Sequence, residues 1–214
     1  MTRLLLVRHG ETTWNHEGRL QGQTDVELSD FGREQARRLG ARLAGEPLQA
    51  AYASDLKRCW ETATIALAGR GLALQPDPGL REVHLGSWQG RTWPELRAQL
   101  PEETAWVEAD LVNRAPPGGE SRLQLQQRIV GAVEAIAARH PDGLVLVVSH
   151  GGALRAFLCW VMLADLRASR RIEADNCGLG VVDLGPSGPR LVTWNDTEHL
   201  KGLLDPSTGS PRVE

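Results

Sequence analysis

Two histidines lie in matching contexts, each one residue beyond a short apolar run and each followed by glycine. His9 follows the run at residues 4–7, and His150 follows the run at residues 144–148. Ligands in open α/β sheets bind beyond the carboxyl ends of the strands, so histidines at two such ends can face one crevice. A glycine beside each histidine allows the backbone to approach a ligand closely. One histidine of this kind is usually structural, but the repeated context favours a shared site.

Arginines accompany this predicted site. Arg8 adjoins His9, and Arg58 lies one turn into a predicted helix that follows a predicted strand. An arginine early in a helix is by itself most often solvated, but two guanidinium groups beside two imidazoles would form an anion pocket. Their paired N–H donors suit phosphate oxygens. Asn15 and Gln21, in the loop after His9, can add neutral donors, or they can simply be polar loop residues.

Glu82 is the acidic candidate. It lies in an apolar segment that carries Trp88, and a carboxyl group in such surroundings can hold a proton for general-acid catalysis. A surface ion pair between Glu82 and its neighbour Arg81 is an equally good interpretation of the sequence. Both interpretations stay open at this point.

Apolar patterning predicts strands that alternate with helices, which is typical of an α/β protein with a largely parallel sheet. Ser29 is the expected N-cap of a helix that ends near Ala44, and Ser54 is the expected N-cap of a helix over residues 55–68. Further helices are predicted at residues 94–100, 103–110, 121–139 and 153–163. Strands are predicted at residues 4–7, 50–53, 72–74, 144–148, 181–184 and 191–194.

The domain organisation is expected to be simple. The chain has 214 residues, and we expect one domain over residues 1–204. Within it, residues 76–119 are irregular and rich in Pro, Gly and Trp, so we interpret them as a lid or insertion. Residues 205–214 are expected to form a flexible tail.

The composition is that of a globular protein, with 24 Lys and Arg against 27 Asp and Glu and a formal net charge of −3. This balance argues against a nucleic-acid partner, which requires a basic face. Three cysteines without a C-x-x-C pair indicate reduced thiols. The N-terminal apolar run is too short for a signal peptide, and no later stretch is long enough to span a bilayer. We therefore expect a cytoplasmic protein with no membrane partner.

Residues 8–12, together with Trp14 and Asn15, resemble the N-terminal signature of the histidine phosphatase superfamily, also called the phosphoglycerate mutase-like superfamily. The resemblance continues in order along the chain, with further family motifs at residues 28–32, 54–63, 80–82, 149–152 and 195–200. A single RHG step would be weak evidence. The ordered set, which runs from residue 3 to about residue 200, is highly specific.

The resemblance implies a three-layer α/β/α fold with a central, mostly parallel mixed sheet and a small helical lid. It also implies a phosphatase in which His9 attacks phosphorus and Glu82 protonates the leaving oxygen, then activates water. The implied catalytic residues are His9, Glu82, His150, Arg8 and Arg58. The implied phosphate ligands are Arg8, Asn15, Gln21, Gly22, Arg58, His150 and Gly151. No metal and no cofactor are implied, and the expected partner is a small phosphorylated metabolite bound by a monomer or homodimer.

Other phosphate chemistries are disfavoured by their missing patterns. The chain has no G-x-x-x-x-G-K-[ST] loop, no cysteine followed six residues later by arginine, and no H-E-x-x-H. The sequence around Ser149 lacks the first glycine of a nucleophile elbow. A metallohydrolase built on His9, His150 and Glu82 is disfavoured by the arginines predicted beside them. A binding protein without turnover is disfavoured by the complete catalytic set.

Within the superfamily, the alternative to a phosphatase is a cofactor-dependent phosphoglycerate mutase. Such a mutase needs extra basic residues over its pocket, and its lid usually carries a Gly-Leu-Asn-Lys run and an arginine pair. Here no lysine occurs between Lys57 and Lys201, and the lid lacks an arginine pair. The motifs at residues 85–90 and 117–121 instead resemble α-ribazole, broad-specificity and glucosyl-3-phosphoglycerate phosphatases.

Overall fold

The computed structural model describes residues 1–203 and contains a six-stranded sheet with the strand order β3-β2-β4-β1-β5-β6. The strands are β1 (Thr2–Arg8), β2 (Ala50–Ala53), β3 (Leu74–Pro76), β4 (Leu144–Ser149), β5 (Leu179–Gly185) and β6 (Gly188–Asp196). The first four strands run parallel, whereas β5 and β6 are each antiparallel to their neighbours. The predicted α/β class with a mostly parallel, mixed sheet is confirmed.

Helices cover both faces of the sheet. The α-helices of the described residues are α1 (Thr13–His16), α2 (Asp30–Leu43), α3 (Lys57–Ala66), α4 (Trp93–Gln99), α5 (Pro101–Ala109), α6 (Arg122–Arg139) and α7 (Gly151–Val161). Short 3-10 helices lie at Pro78–Leu80, Gly86–Trp88, Leu166–Arg171 and Glu198–Leu200. Ser29 caps α2 as predicted, because its Oγ accepts a hydrogen bond from Gly32 N at 3.0 Å.

Alternate residues of the central strand β1 face opposite helical layers. Leu4 and Leu6 pack with residues of α6 and α7, whereas Leu5 and Val7 pack with residues of α2 and α3. A strand that is covered on both faces needs apolar residues at successive positions, which explains the continuous apolar run. The sheet therefore forms the middle of three layers, as the family resemblance implies.

Strands β1, β2 and β4 end at the same edge of the sheet. Arg8 pairs with Ser149 and Ala53 with Val148. Just beyond this register, His9 N donates a hydrogen bond to Ser149 O at 3.0 Å. The residues that follow the three strands are consequently delivered to one edge, where ligands bind in open α/β sheets.

Residues 76–119 have a small core of their own. They contain two 3-10 helices, α4 and α5, and their buried residues Trp88, Leu96 and Val107 form a cluster separate from the two main layers. Trp88 Nε1 donates to Glu103 Oε1 at 2.5 Å, which fastens the ring to α5. The function of this segment as a lid stays a prediction.

Some of the predicted boundaries are wrong. Ser54 does not cap α3, whose N-cap is Leu56, because the Ser54 hydroxyl is hydrogen-bonded to His150 Nε2 at 2.9 Å. The third strand lies at Leu74–Pro76 rather than at residues 72–74, since its backbone pairs with β2 only from Leu74 onward. The loop after β1 also contains the short helix α1.

The predicted flexible tail at residues 205–214 lies outside the described residues. In the part of the chain that is described, no helix is both long enough and apolar enough to cross a membrane.

Candidate active site

His9 stands at the end of β1 with only 4% of its surface exposed. Its Nδ1 lies 2.7 Å from Gly10 O, and because a carbonyl oxygen only accepts, Nδ1 carries the proton and Nε2 keeps its lone pair. Burial, followed by the positive charges of Arg58 and Arg8, lowers the pKa of His9 well below its ordinary value. The ring is therefore neutral at physiological pH, which is the form a nucleophile requires.

His150 lies beside His9 at the end of β4, and the two ring centroids are 5.2 Å apart. Arg58 Nε donates to Nδ1 of the fully buried His150 at 3.1 Å, so Nε2 carries the proton and donates to Ser54 Oγ. Burial and the charge of Arg58 lower the pKa of His150 well below its ordinary value. Both ring nitrogens of this neutral histidine thus have protein partners. Its role as a direct phosphate ligand stays a prediction.

Arg58 is held from several sides and is only 1% exposed. Its Nη1 donates to Thr24 O at 2.8 Å and its Nη2 to Gly22 O at 2.7 Å. Gly22 has a φ of +50°, and a Cβ at this position would lie 2.4 Å from Gln89 Oε1. Glycine is therefore required where the loop after β1 presents its carbonyl to Arg58.

Arg8 has an unused hydrogen-bond donor. Its Nη1 donates to Ala174 O at 2.6 Å, but its buried Nε has no hydrogen-bond partner among the described residues. Burial, followed by the charge of Arg155, lowers the pKa of Arg8 to about 10, so the group remains a cation at neutral pH. A buried donor without a partner is costly. A Cβ on Gly151 would lie 3.3 Å from this nitrogen, so an anion beside Gly151 would satisfy it.

Glu82 is held by backbone amides from two segments. Val83 N donates to Oε1 and Gly152 N donates to Oε2, both at 2.8 Å. A Cβ at Gly152 would lie 2.3 Å from Oε1, so the carboxyl group needs glycine there. The alternative ion pair of Glu82 with Arg81 is wrong, because Arg81 Nε binds Asp55 Oδ1 at 2.7 Å instead.

Asn15 and Gln21 are tied together through Thr12. Asn15 Oδ1 accepts from Thr12 N at 3.0 Å, and Gln21 Nε2 donates to Thr12 Oγ1 at 2.8 Å. Gln21 Oε1 is buried and lacks a hydrogen-bond partner within residues 1–203. This network fixes the loop after β1, and it leaves the Asn15 amide group at the wall of the cavity.

These residues surround a cavity of about 260 Å³ at the strand ends. Of the predicted set, the cavity is lined by Arg8, His9, Asn15, Gln21, Gly22, Arg58, Glu82 and Gly151, while His150 is absent from the lining. The lining residues outside the predicted site are Arg19, Leu20, Val83, Leu85, Trp93, Arg122, Gly152 and Arg155, of which Leu85 and Gly152 lie within the motifs at residues 85–90 and 149–152.

Two of these additional residues carried a weak signal in the sequence. Arg155 lies four positions after Gly151 on α7, so it faces the same side of the helix as the predicted anion pocket. Arg122 directly follows Ser121, the N-cap of α6. Within residues 1–203, no group of three or more His, Cys, Asp and Glu side chains is placed to hold a metal ion.

The fold and this cavity define an α/β enzyme site with a neutral histidine surrounded by arginines. The family description "Histidine phosphatase superfamily (branch 1)" matches residues 4–197 of the chain. The chain therefore belongs to branch 1 of the histidine phosphatase superfamily, and it is a phosphatase of that superfamily with the phosphoglycerate mutase-like fold.

Individual relatives support this assignment. A metal-independent phosphoserine phosphatase of Arabidopsis thaliana is 39% identical over 206 residues, which cover 95% of this chain and 85% of that protein. A probable phosphoglycerate mutase GpmB of Erwinia tasmaniensis is 34% identical over 209 residues, which cover 94% of this chain and 96% of that protein. A mutant of the phosphoserine phosphatase of Entamoeba histolytica, solved with phosphoserine, has a TM-score of 0.83 at 25% identity and covers 94% of this chain and 100% of its own.

Proposed function

We propose that this protein hydrolyses small phosphate monoesters without a metal, through a phosphohistidine formed on His9. The observation that carries the proposal is the state of that ring. Its Nδ1–H donates a hydrogen bond to Gly10 O. The lone pair of Nε2 is therefore available in the cavity, beside the cations Arg8 and Arg58. A neutral nucleophile next to fixed positive charge is the arrangement that phosphoryl transfer needs.

In the first step, the lone pair of His9 Nε2 attacks phosphorus and the bond from phosphorus to the ester oxygen breaks. Arg8 and Arg58 neutralise the charge that develops on the phosphoryl oxygens. Glu82, which enters protonated, gives its proton to the leaving oxygen. The alcohol leaves, and the phosphoryl group stays on His9.

In the second step, water displaces the histidine. The carboxylate of Glu82 takes a proton from a water molecule as its oxygen attacks phosphorus, and the bond from phosphorus to Nε2 breaks. Inorganic phosphate is released, and both His9 and Glu82 return to their starting protonation states. We assign His150 to holding the Nε of Arg58, at 3.1 Å, and Asn15 to assisting the phosphoryl group.

A phosphatase is favoured over a mutase by the composition of the segment above the cavity. A mutase must retain a bisphosphate with basic groups over its pocket, whereas the residues that 76–119 contributes to the cavity, namely Glu82, Val83, Leu85 and Trp93, include none, and no lysine occurs between Lys57 and Lys201. The relative named as a probable mutase makes this distinction a necessary part of the test. We propose a small phosphorylated metabolite as the substrate.

The cysteines support the proposed cytoplasmic location. Cys59, Cys159 and Cys177 are all free and buried. Free thiols are typical of reducing compartments.

The test is phosphate release in the presence of EDTA from p-nitrophenyl phosphate, phosphoserine, 3-phosphoglycerate, glucosyl-3-phosphoglycerate and α-ribazole phosphate. We expect release without added metal, and a loss of at least about 1,000-fold in kcat in His9→Ala, because the nucleophile is removed. The variant His16→Ala, which removes an exposed imidazole, is the matched control and should keep its activity.

A coupled mutase assay completes this experiment. Failure to release phosphate, together with bisphosphate-stimulated conversion of 3- to 2-phosphoglycerate, would identify a mutase and overturn the proposal. Release that requires a metal, or that survives in His9→Ala, would equally contradict it.

A further inference from the structure

We infer that Arg122 and Arg155 form a second anion-binding subsite in the cavity, which selects phosphate monoesters that carry a carboxylate on the alcohol part. The inference rests on the proposed function, since it concerns the substrate of the same site. Both arginines line the cavity together with His9, and the proposed mechanism assigns the phosphoryl group to Arg8 and Arg58 and leaves these two unassigned.

Arg122 is a cation without a partner. Its side chain lies in the wall of the cavity and makes no hydrogen bond or ion pair with any residue of the described part of the chain. Burial lowers the pKa of its guanidinium group, and the carboxyl group of Glu82 opposes that effect only in part. A partly desolvated charge that lacks a counter-ion is unfavourable. An anionic group on the ligand would remove this cost.

Arg155 lines the same cavity as Arg8 and Arg122. Its Nε donates to Gly151 O at 2.9 Å, and its Nη2 would lie 3.5 Å from a Cβ placed on Gly151. The pKa of Arg8 is lowered in part by the charge of Arg155, so the two guanidinium groups are neighbours. Arg155 thus supplies a further cation to the cavity next to Gly151 and Arg8.

The arginines that act most strongly on His9 differ from those that act on Arg122. Arg58 and Arg8 are the arginines that lower the pKa of His9. The arginines that lower the pKa of Arg122 are instead Arg170 and Arg155. The positive charge in the cavity therefore extends beyond the phosphoryl subsite, as binding of a second anionic group requires.

The charges of the cavity leave room for one more anion. Five arginines line it, but Arg19 is already paired with Glu17 and Glu95. Counting only the residues that line the cavity, the remaining four positive charges exceed the three negative charges that Glu82 and a phosphate dianion supply. The surplus is one charge, or two when Glu82 is protonated, and a carboxylate matches it. The volume of about 260 Å³ favours a compact substrate of this kind.

The test compares substrates that differ only in the carboxylate. 3-Phosphoglycerate is paired with glycerol 3-phosphate, and phosphoserine with phosphoethanolamine. We expect kcat/KM to favour the carboxylate member of each pair by about tenfold or more, because a charged hydrogen bond is worth roughly that factor. Arg122→Gln and Arg155→Gln should reduce this preference to about twofold or less, with the loss in KM rather than kcat, and Arg122→Lys should restore part of it.

Arg37→Gln removes an exposed arginine on α2 and serves as the control for the change in net charge. It should leave the preference unchanged. Equal kcat/KM values for the two members of each pair in the wild type would overturn the inference. So would variants that slow both members equally, since that result would assign the two arginines to the phosphoryl group.

The same pairs separate a failure of this inference from a failure of the proposed function. If the wild type releases no phosphate from any substrate, the proposed function fails, but calorimetric binding to His9→Ala still decides the inference. Binding of 3-phosphoglycerate at least about tenfold tighter than that of glycerol 3-phosphate, lost in the double variant with Arg122→Gln, would support the subsite. Equal binding of the two ligands would overturn it.

Discussion

The residues of the candidate active site come from two regions of the chain that differ in how they are packed. His9 and His150 follow central strands that are covered by helices on both faces, and Arg58 lies on a helix packed against the same sheet. Residues 76–119, by contrast, contribute Glu82 and other lining residues from a segment whose own core is one small cluster. Groups that must be placed accurately for phosphoryl transfer are therefore held by the main core, whereas the segment above the cavity can vary with the substrate.

Glu82 is the point where the two regions meet. It belongs to residues 76–119, yet its Oε2 accepts from Gly152 N at 2.8 Å at the start of α7. The proposed general acid is thus positioned against the strand-end region by a backbone hydrogen bond. Changes to this residue and to its surroundings should show how far the two regions act independently.

Replacing the carboxyl group should have the largest effect. In Glu82→Gln, we expect kcat for alkyl phosphates such as phosphoserine to fall by about 10²- to 10⁴-fold, because no group protonates the leaving oxygen. Cleavage of p-nitrophenyl phosphate should slow less in its first step, since p-nitrophenolate leaves without a proton. Steady-state and stopped-flow assays with both substrates measure the difference.

Glu102→Gln changes an exposed carboxyl group of α5 and serves as the control. It should leave both rates unchanged. A loss of the same size in the first-step rate for both substrates in Glu82→Gln would remove the distinction between leaving groups and contradict the assignment of Glu82 as the acid.

Truncating the residue at the centre of the small core should destabilise residues 76–119 and leave the central strands protected. Trp88 is 1% exposed, and Trp88→Ala should cost about 3–5 kcal/mol within residues 76–119, because a large cavity replaces the ring. Hydrogen exchange should rise in α4 and α5, while the amides of β1 and β4 stay protected. Equal loss of protection in the central strands would indicate a single cooperative unit and contradict the comparison.

The smallest expected effect is a loss of stability in acid, which comes from His9 and His150 at the strand ends. The pKa values of His9 and His150 are well below the ordinary value of 6.5 in the folded protein. The unfolded chain therefore binds more protons than the folded one as the pH falls below about 6.5. The free energy of unfolding should decrease by about 1.4 kcal/mol per pH unit for each histidine. Stability contributed by their neutral state is present above pH 6.5 and is lost in acid.

Urea unfolding of the wild type and of His9→Gln at pH 7.5, 6.5 and 5.5 measures this effect. The variant should lose stability less steeply below pH 6.5 than the wild type, by the share of one histidine. Parallel curves would mean that folding does not lower the pKa of His9, which would contradict the buried, charge-surrounded imidazole on which its assignment as a neutral nucleophile rests.

The fold class and most strand-end residues could be predicted because they depend on local patterns. Continuous apolar runs identify strands buried on both faces, and the following His-Gly steps mark the ligand edge. The role of Ser54 was mispredicted, since a serine after a strand resembles an N-cap, and nothing local indicates that its hydroxyl binds His150.

The presence of Arg122 and Arg155 at one cavity is only weakly indicated by the sequence, because it depends on tertiary packing. Arg122 is adjacent in sequence to a helix cap, and only the approach of α6 to α7 brings it to the same cavity as Arg155. The ion pair of Arg81 with Asp55, which leaves Glu82 to the backbone amides, likewise joins residues 26 positions apart.

The central claim is that His9 carries the phosphoryl group, and a chemical-quench experiment on Glu82→Gln tests it most directly. With p-nitrophenyl phosphate, the first step should proceed while the second, which needs Glu82 to activate water, slows. We predict a burst of about one p-nitrophenolate per active site, together with an alkali-stable, acid-labile phosphoryl group located by mass spectrometry on the peptide that contains His9. Turnover without a burst, and without phosphate on that peptide at any quench time, would contradict the account.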